Sequence, residues 1–280
     1  MAPSVAREQP SSAPGPGAPD VRSVPDGTPV CWGLTPARVT RWFVLVIATL
    51  TVLSVAEQYV IHQLGRADLE DFLIAFDLDA EGNLPTWYAS LALLGAAVLL
   101  GIIAAHVRRR KQPFARHWQA LSILLVVLSI DEVAQWHEHL GRLHEVWKTH
   151  GIFYFAWVIP GTLAAAATGV VFLRFLLQLP ASTRQRFIAA ALVFCGGALG
   201  VEALSGWRAE TMGMNNMTAS LIATVEEVME MTGVAMVVVA LLRHMAAEGI
   251  SVFVSADSRR GERPDIRSTW PHHLLERPQD

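Results

Sequence analysis

Six stretches of the chain are long, apolar and almost free of charge at their centres: residues 42–64, 87–107, 118–139, 153–178, 187–207 and 217–243. Each reaches about the 20 residues that an α-helix needs to cross a hydrocarbon core of about 30 Å. The second and fourth carry no polar stripe, as SLALLGAAVLLGIIAA over residues 90–105 illustrates. A helix of a soluble bundle keeps such a stripe on its solvent side. The pattern therefore predicts an all-α fold, a polytopic transmembrane helix bundle of six spans within residues 41–245.

Composition sharpens that reading. Apolar residues make up 52% of the 280 and charged residues 17%, against about 25% charge in soluble domains. A net charge of −3 gives no basic footprint for nucleic acid. Two cysteines exclude a disulfide scaffold. Eight prolines fall within the first 36 residues, so residues 1–40 are expected to be a disordered tail, without the apolar core of a cleaved signal peptide. Residues 246–280 are expected to form a polar tail.

The basic residues set an orientation. Eighteen of the 22 lie in or beside the two tails (Arg41 and Arg243 at their inner edges), in the loop Arg108–Arg109–Arg110–Lys111 to Arg116, or around Arg174, Arg184 and Arg186. Positive charge stays on the cytoplasmic side. Both termini are thus expected in the cytoplasm, with the chain in the plasma or bacterial inner membrane. The acidic loop between spans 1 and 2 is expected outside.

Acids within the spans carry the functional information. Glu57 lies in span 1, Asp131 and Glu132 in span 3, Glu202 in span 5, and Glu226, Glu227 and Glu230 in span 6. Each isolated carboxylate at mid-depth costs about 2.5–3.5 kcal/mol, so seven would cost on the order of 20 kcal/mol. They must be protonated, hydrated, paired or bound to cations. At about 1.5 Å per residue, Glu57, Asp131, Glu202 and Glu227 all fall roughly 8–15 Å below the outer ends of their spans. Four spans thus place acids at one level, and spans 2 and 4 place none.

Helical phase gives the acids company. Asp131 and Glu138 share a face, with Glu132 and His139 about 90–100° round it, and His137 is directed away from that arc. Asn216, Ser220 and Thr224 form a stripe leading outward from Glu227. Ser54, Gln58 and His62 form another beside Glu57. Carboxylates with imidazole suit divalent Fe, Mn or Zn. Glu57, Glu132, His139, Glu202, Glu227 and Glu230 are the expected metal ligands, with Asp131 or Glu226 as catalytic base. His62, His137, Glu138, Asn216, Ser220 and Thr224 are expected to support the site or line the way to it.

Other motifs narrow the field. Asp77-Leu-Asp79-Ala-Glu81-Gly82 resembles the start of a calcium loop, but Tyr88 stands where the twelfth-position Glu is needed. The loop could still serve as an outer cation site or a lid over the acids. Glu226-Glu227 begins like the paired glutamates of CAAX-type proteases but has Met231 in place of the arginine. There is no P-loop, no G-x-S-x-G elbow and no lysine within a span. Trp136, Trp147, Trp157 and Trp207 read as interfacial anchors, and Gly196-x-x-x-Gly200 as a close helix contact.

FDLDAEGNLPTWYAS (76–90), SIDEVAQWHEHLG (129–141) and TVEEVMEMTG (224–233) resemble segments of a group of uncharacterised bacterial multipass membrane proteins. The resemblance covers residues 40–245 and implies that the three segments form one site. It implies no activity. The leading expectation is a membrane-embedded metalloenzyme, a hydrolase or oxidoreductase, acting on a lipid-like or small extracytoplasmic substrate. The alternatives are a proton- or cation-coupled transporter and a non-catalytic sensor or assembly subunit. The bilayer is the expected partner.

Overall fold

Three of the long helices open on a side-chain cap that the sequence supplies. Thr35 accepts the Arg38 amide at 3.4 Å and Pro36 occupies the first position of α1, Pro36–His62. Proline is pre-set for that place because its missing N–H would be unpaired there anyway. Asn83 caps α3, Leu84–Arg109, by accepting the Thr86 amide at 3.2 Å. Asn216 caps α10, Met217–Ala247, by accepting the Ala219 amide at 3.1 Å.

A computed structural model of the chain describes residues 35–141 and 144–250. The two expected tails lie outside the described residues, apart from a few positions at their inner ends, and so does Arg142. Short α2, Glu70–Leu73, and two 3-10 turns lead from α1 to α3. The order continues with α4 (Ala115–Ala134), α5 (Trp136–Gly141), α6 (His144–Trp147), α7 (Val158–Gln178) and α8 (Ala181–Cys195). A π-helical segment, Gly196–Val201, joins α8 to α9, Glu202–Met212, without a break. Among the described residues there is no strand.

Five helical stretches are long and apolar enough to cross a membrane: α1, α3, α4, α7 and the continuous Ala181–Met212. They coincide with the first five predicted spans. The sixth coincides with α10, which is 31 residues long and carries the three glutamates. Several boundaries differ by about five residues, and one of them matters for the acids. The third span was expected to reach residue 139, but α4 stops at Ala134 because Gln135 is in the left-handed region at φ 56°.

α10 is the hub. It packs against α1, α3, α8, α9 and the π-helical segment, while α3 and α4 form an antiparallel hairpin. Ser90 and Ser129 clasp that hairpin, each hydroxyl donating to the other residue's carbonyl at 2.8 and 2.9 Å. Small residues bring α8 and the π segment against α10. A Cβ on Gly233 would lie 2.7 Å from the Phe194 Cβ, and one on Gly197 would lie 2.8 Å from the Glu226 carbonyl oxygen. Gly200, expected in this contact, faces open space.

The apolar core occupies the half nearer the Arg108–Lys111 loop. Leu100, Ile103, Val238 and Leu241 are buried there, with Trp118 set edge-on to Phe175 at 4.9 Å. A second patch, Ile47, Leu50, Met231 and Ala235, lies above it. The outer surface is apolar too: Trp42, Leu45, Leu163, Val170 and Leu192 are all exposed. Glu57, Glu202 and Glu226 are buried. Apolar residues outside and acids inside is the arrangement that lipid, rather than water, requires.

Candidate functional site

The α10 glutamates belong to a cluster of acids, an acid chamber for short, whose members come from five parts of the chain. Its floor is Glu226, Glu227 and Glu230 on α10. Glu202 enters from the start of α9, immediately after the π-helical segment. The extra residue of a π turn shifts the helical phase, and Gly197 lets the backbone approach the Glu226 carbonyl. The Glu202 and Glu226 carboxyls lie close enough to interact directly. Trp157 Nε1 donates to Glu202 Oε1 at 2.8 Å. Gly161 makes room for that indole, since a Cβ there would lie 2.8 Å from the ring.

The end of α4 supplies the opposite wall. Left-handed Gln135 turns the chain so that Asp131 reaches forward to His137. One Asp131 oxygen accepts the His137 amide at 3.2 Å and the other meets Nδ1 at 2.9 Å. That contact leaves Nε2 facing the chamber, 3.9 Å from Glu81 Oε1 and 3.8 Å from Glu138 Oε1. The imidazole also lies 5.3 Å from the Trp157 ring. Glu132 and Glu230 both lie within the electrostatic reach of Glu81 and His137.

The loop between α2 and α3 closes the top. Ser54 and Gln58 on α1 hold Asp77, with Gln58 Nε2 donating to Asp77 Oδ1 at 3.3 Å and Ser54 Oγ receiving the Leu78 amide at 3.0 Å. Asn83 Nδ2 donates to the Asp77 carbonyl. The loop is thereby folded back so that Asp79 and Glu81 hang over the α10 acids. Asp79 keeps an edge open to solvent. The protein packed around its carboxyl and the charges of Asp77, Glu202, Glu138 and Glu81 raise it to about 6. Burial raises Glu81 as well, against the pull of His137. Burial pulls His137 down, but the Asp131 hydrogen bond and the charges of Asp131, Glu138 and Glu81 outweigh it and raise the imidazolium to about 9.

Glu81, His137 and Glu138 each offer one ligand atom, all within 4.8 Å of one another. Ligands of a tetrahedral ion at about 2.1 Å lie about 3.4 Å apart, so the 3.8 and 3.9 Å separations from Nε2 would close slightly around an ion. Among the described residues, none of the chamber's carboxylates pairs with an arginine or lysine. A carboxylate holding Nδ1 while Nε2 faces ligand oxygens is the support that metal-binding histidines receive.

Residues 42–245 match the family model described as "Domain of unknown function (DUF8692)". The chain belongs to DUF8692. No curated protein and no solved structure matches it.

In this DUF8692 chain the expected site residues divide into three groups. Asp131, Glu132, Glu138, Glu202, Glu226, Glu227 and Glu230 are gathered around the chamber with His137. Glu57 is buried on the α1 side near Asp77 and Asp79, and its Oε2 has no hydrogen-bond partner. His139, expected among the ligands, is exposed, with Nδ1 on the Gln135 carbonyl at 2.6 Å. The break at Gln135 resets the helical phase, so His137 takes the inward place.

The expected access stripe is used for packing. His62 meets Ser220 at 3.2 Å, Gln58 donates to Thr224 at 3.1 Å, and Asn216 is committed to its cap. Sequence reasoning missed Trp157 and Glu81 as members of the site. For Glu81 a signal existed, since the acidic loop had the composition of a lid. For Trp157 there was none, because an anchor and a chamber wall look alike in sequence.

Proposed function

We propose that this protein is a six-span membrane protein whose acid chamber holds a divalent metal, Fe, Mn or Zn, and acts as a membrane-embedded metalloenzyme. The observation that carries the reading is the Asp131–His137 pair with Nε2 turned towards Glu81 and Glu138. Glu81, His137 and Glu138 are the first ligands, and Glu132 or Glu230 completes the set. Glu226 and Glu202 share a proton at the rear of the chamber and supply the acid–base pair. In this reading α10 is the sixth span, the Arg108–Lys111 loop and both termini are cytoplasmic, and the chamber opens to the outside. The substrate is a small extracytoplasmic molecule or a lipid headgroup.

A transporter fits less well. A conducted cation needs a polar route through the other half of the membrane, and there Ile47, Leu50, Met231 and Ala235 pack above Leu100, Ile103 and Leu241.

Elemental analysis of the detergent-purified full-length protein tests the proposal. About one divalent transition metal per chain is expected, falling to background in a His137→Ala/Glu138→Gln variant that elutes normally on gel filtration. Wild-type protein that stays metal-free after incubation with Fe(II), Mn(II) or Zn(II) overturns it.

A further inference from the structure

A second feature lies at the opposite end of the bundle. α1 and α8 both pack on α10 but leave a groove of about 850 Å³ between them, floored by α10. That is within the size range of small-molecule sites. Its walls are apolar, with Phe43 and Ile47 from α1, Ala189 from α8 and Val228, Ala235 and Val239 from α10. Thr40 and Thr51 lie in the α1 wall, but their hydroxyls donate back to the Pro36 and Ile47 carbonyls, each at 2.8 Å. The wall therefore offers a ligand little polarity along its length.

One end is different. Arg186 on α8 and Arg243 on α10 both line the groove there, beside Gln185. Among the described residues neither arginine has a carboxylate partner. From Val228 to Arg243 the floor runs 15 residues, or about 22 Å at 1.5 Å per residue. One leaflet of the hydrocarbon core is about 15 Å deep. The groove is thus long enough for an acyl chain with its headgroup at the arginine end.

We propose that this groove binds one anionic glycerophospholipid from the leaflet on the Arg108–Lys111 side. Its phosphate sits between Arg186 and Arg243 and an acyl chain lies along Phe43, Ile47 and Ala235. Two guanidiniums that have no carboxylate partner among the described residues supply the charge complementarity, and arginine suits phosphate geometry. The proposal rests on the chain lying in a membrane and is independent of the metal.

Native mass spectrometry of the full-length protein, released from micelles containing equal phosphatidylglycerol and phosphatidylcholine of the same acyl chains, tests it. The wild-type protein should retain phosphatidylglycerol at least about tenfold over phosphatidylcholine, since each of the two cations near an anionic headgroup contributes about 1 kcal/mol, or about fivefold. Arg186→Gln/Arg243→Gln should abolish the preference, and Arg186→Lys/Arg243→Lys should keep most of it. Ala235→Trp, which fills the groove, should reduce retention of both lipids. Arg110→Gln/Lys111→Gln, in the basic loop, should leave the preference intact. A preference that survives the double glutamine variant overturns the proposal, as does one lost equally in the loop control. So does a wild-type protein that retains neither lipid, as when a terminal tail or a second copy fills the groove. His137→Ala/Glu138→Gln should bind lipid as wild type does, so failure of the metal site and failure of the groove read out separately.

Discussion

At the scale of single residues the decisive pair is Asp131 and His137. The imidazolium is raised to about 9, above its ordinary value of about 6.5. A raised basic group stabilises the fold fully below its unfolded value, and that contribution fades as pH climbs through the folded one. The metal-free protein should therefore lose thermal stability between about pH 6.5 and 9, and His137→Gln should flatten that slope in a melting series. A metal on Nε2 must displace the same proton. Metal affinity should rise with pH up to about 9 and then level, as followed by competition with a chelator. Asp131→Asn removes the charge that orients the ring, and it should weaken metal binding about 10–100-fold. Equal affinity in that variant would assign Asp131 to the turn alone.

Individual elements show why the chamber has its shape. The π-helical segment carries Glu202 into contact with Glu226, and Gly197 allows α10 to come close. Gly197→Ala places a Cβ against the Glu226 carbonyl at 2.8 Å. It should cost about 1–3 kcal/mol, the usual range for overpacking, seen as a lower thermal midpoint. Gly200→Ala, facing open space, should leave the midpoint almost unchanged. The contrast explains what the sequence could convey. The long apolar helices were legible, because hydropathy is a property of one helix. The side on which His137 lies was not. Counting 100° per residue assumes an unbroken helix, and Gln135 ends α4 with a left-handed residue that nothing local demands. The close contact of Gly197 rather than Gly200 was hidden for a similar reason, since a π turn changes the count.

Over the whole molecule, polarity is sorted by depth. Acids occupy one half, an apolar core the other, and the arginines of the groove lie beyond the core. The fold-back of the loop carrying Glu81 was not legible, because it depends on Ser54, Gln58 and Asn83 meeting Asp77 across α1 and α3. The proposed six-span orientation predicts accessible positions. A single cysteine at Ala80, in a Cys31→Ser/Cys195→Ser background, should react with a membrane-impermeant maleimide on intact cells, and one at Gln112 only after lysis. The reverse pattern would invert the bundle and place the chamber on the cytoplasmic side.

The central place of α10 has a consequence for biogenesis. Among the described residues it follows every other long helix in chain order, yet five other elements pack against it. Until it arrives, Glu57, Glu132 and Glu202 belong to an unfinished bundle with a wet cleft where the α10 glutamates will sit. Assembly must bring an acid-bearing helix into a place already shaped for it. A chain stopped before Met217 should insert its first five spans and then be cleared by membrane proteases, and α10 supplied as a separate polypeptide should rescue it.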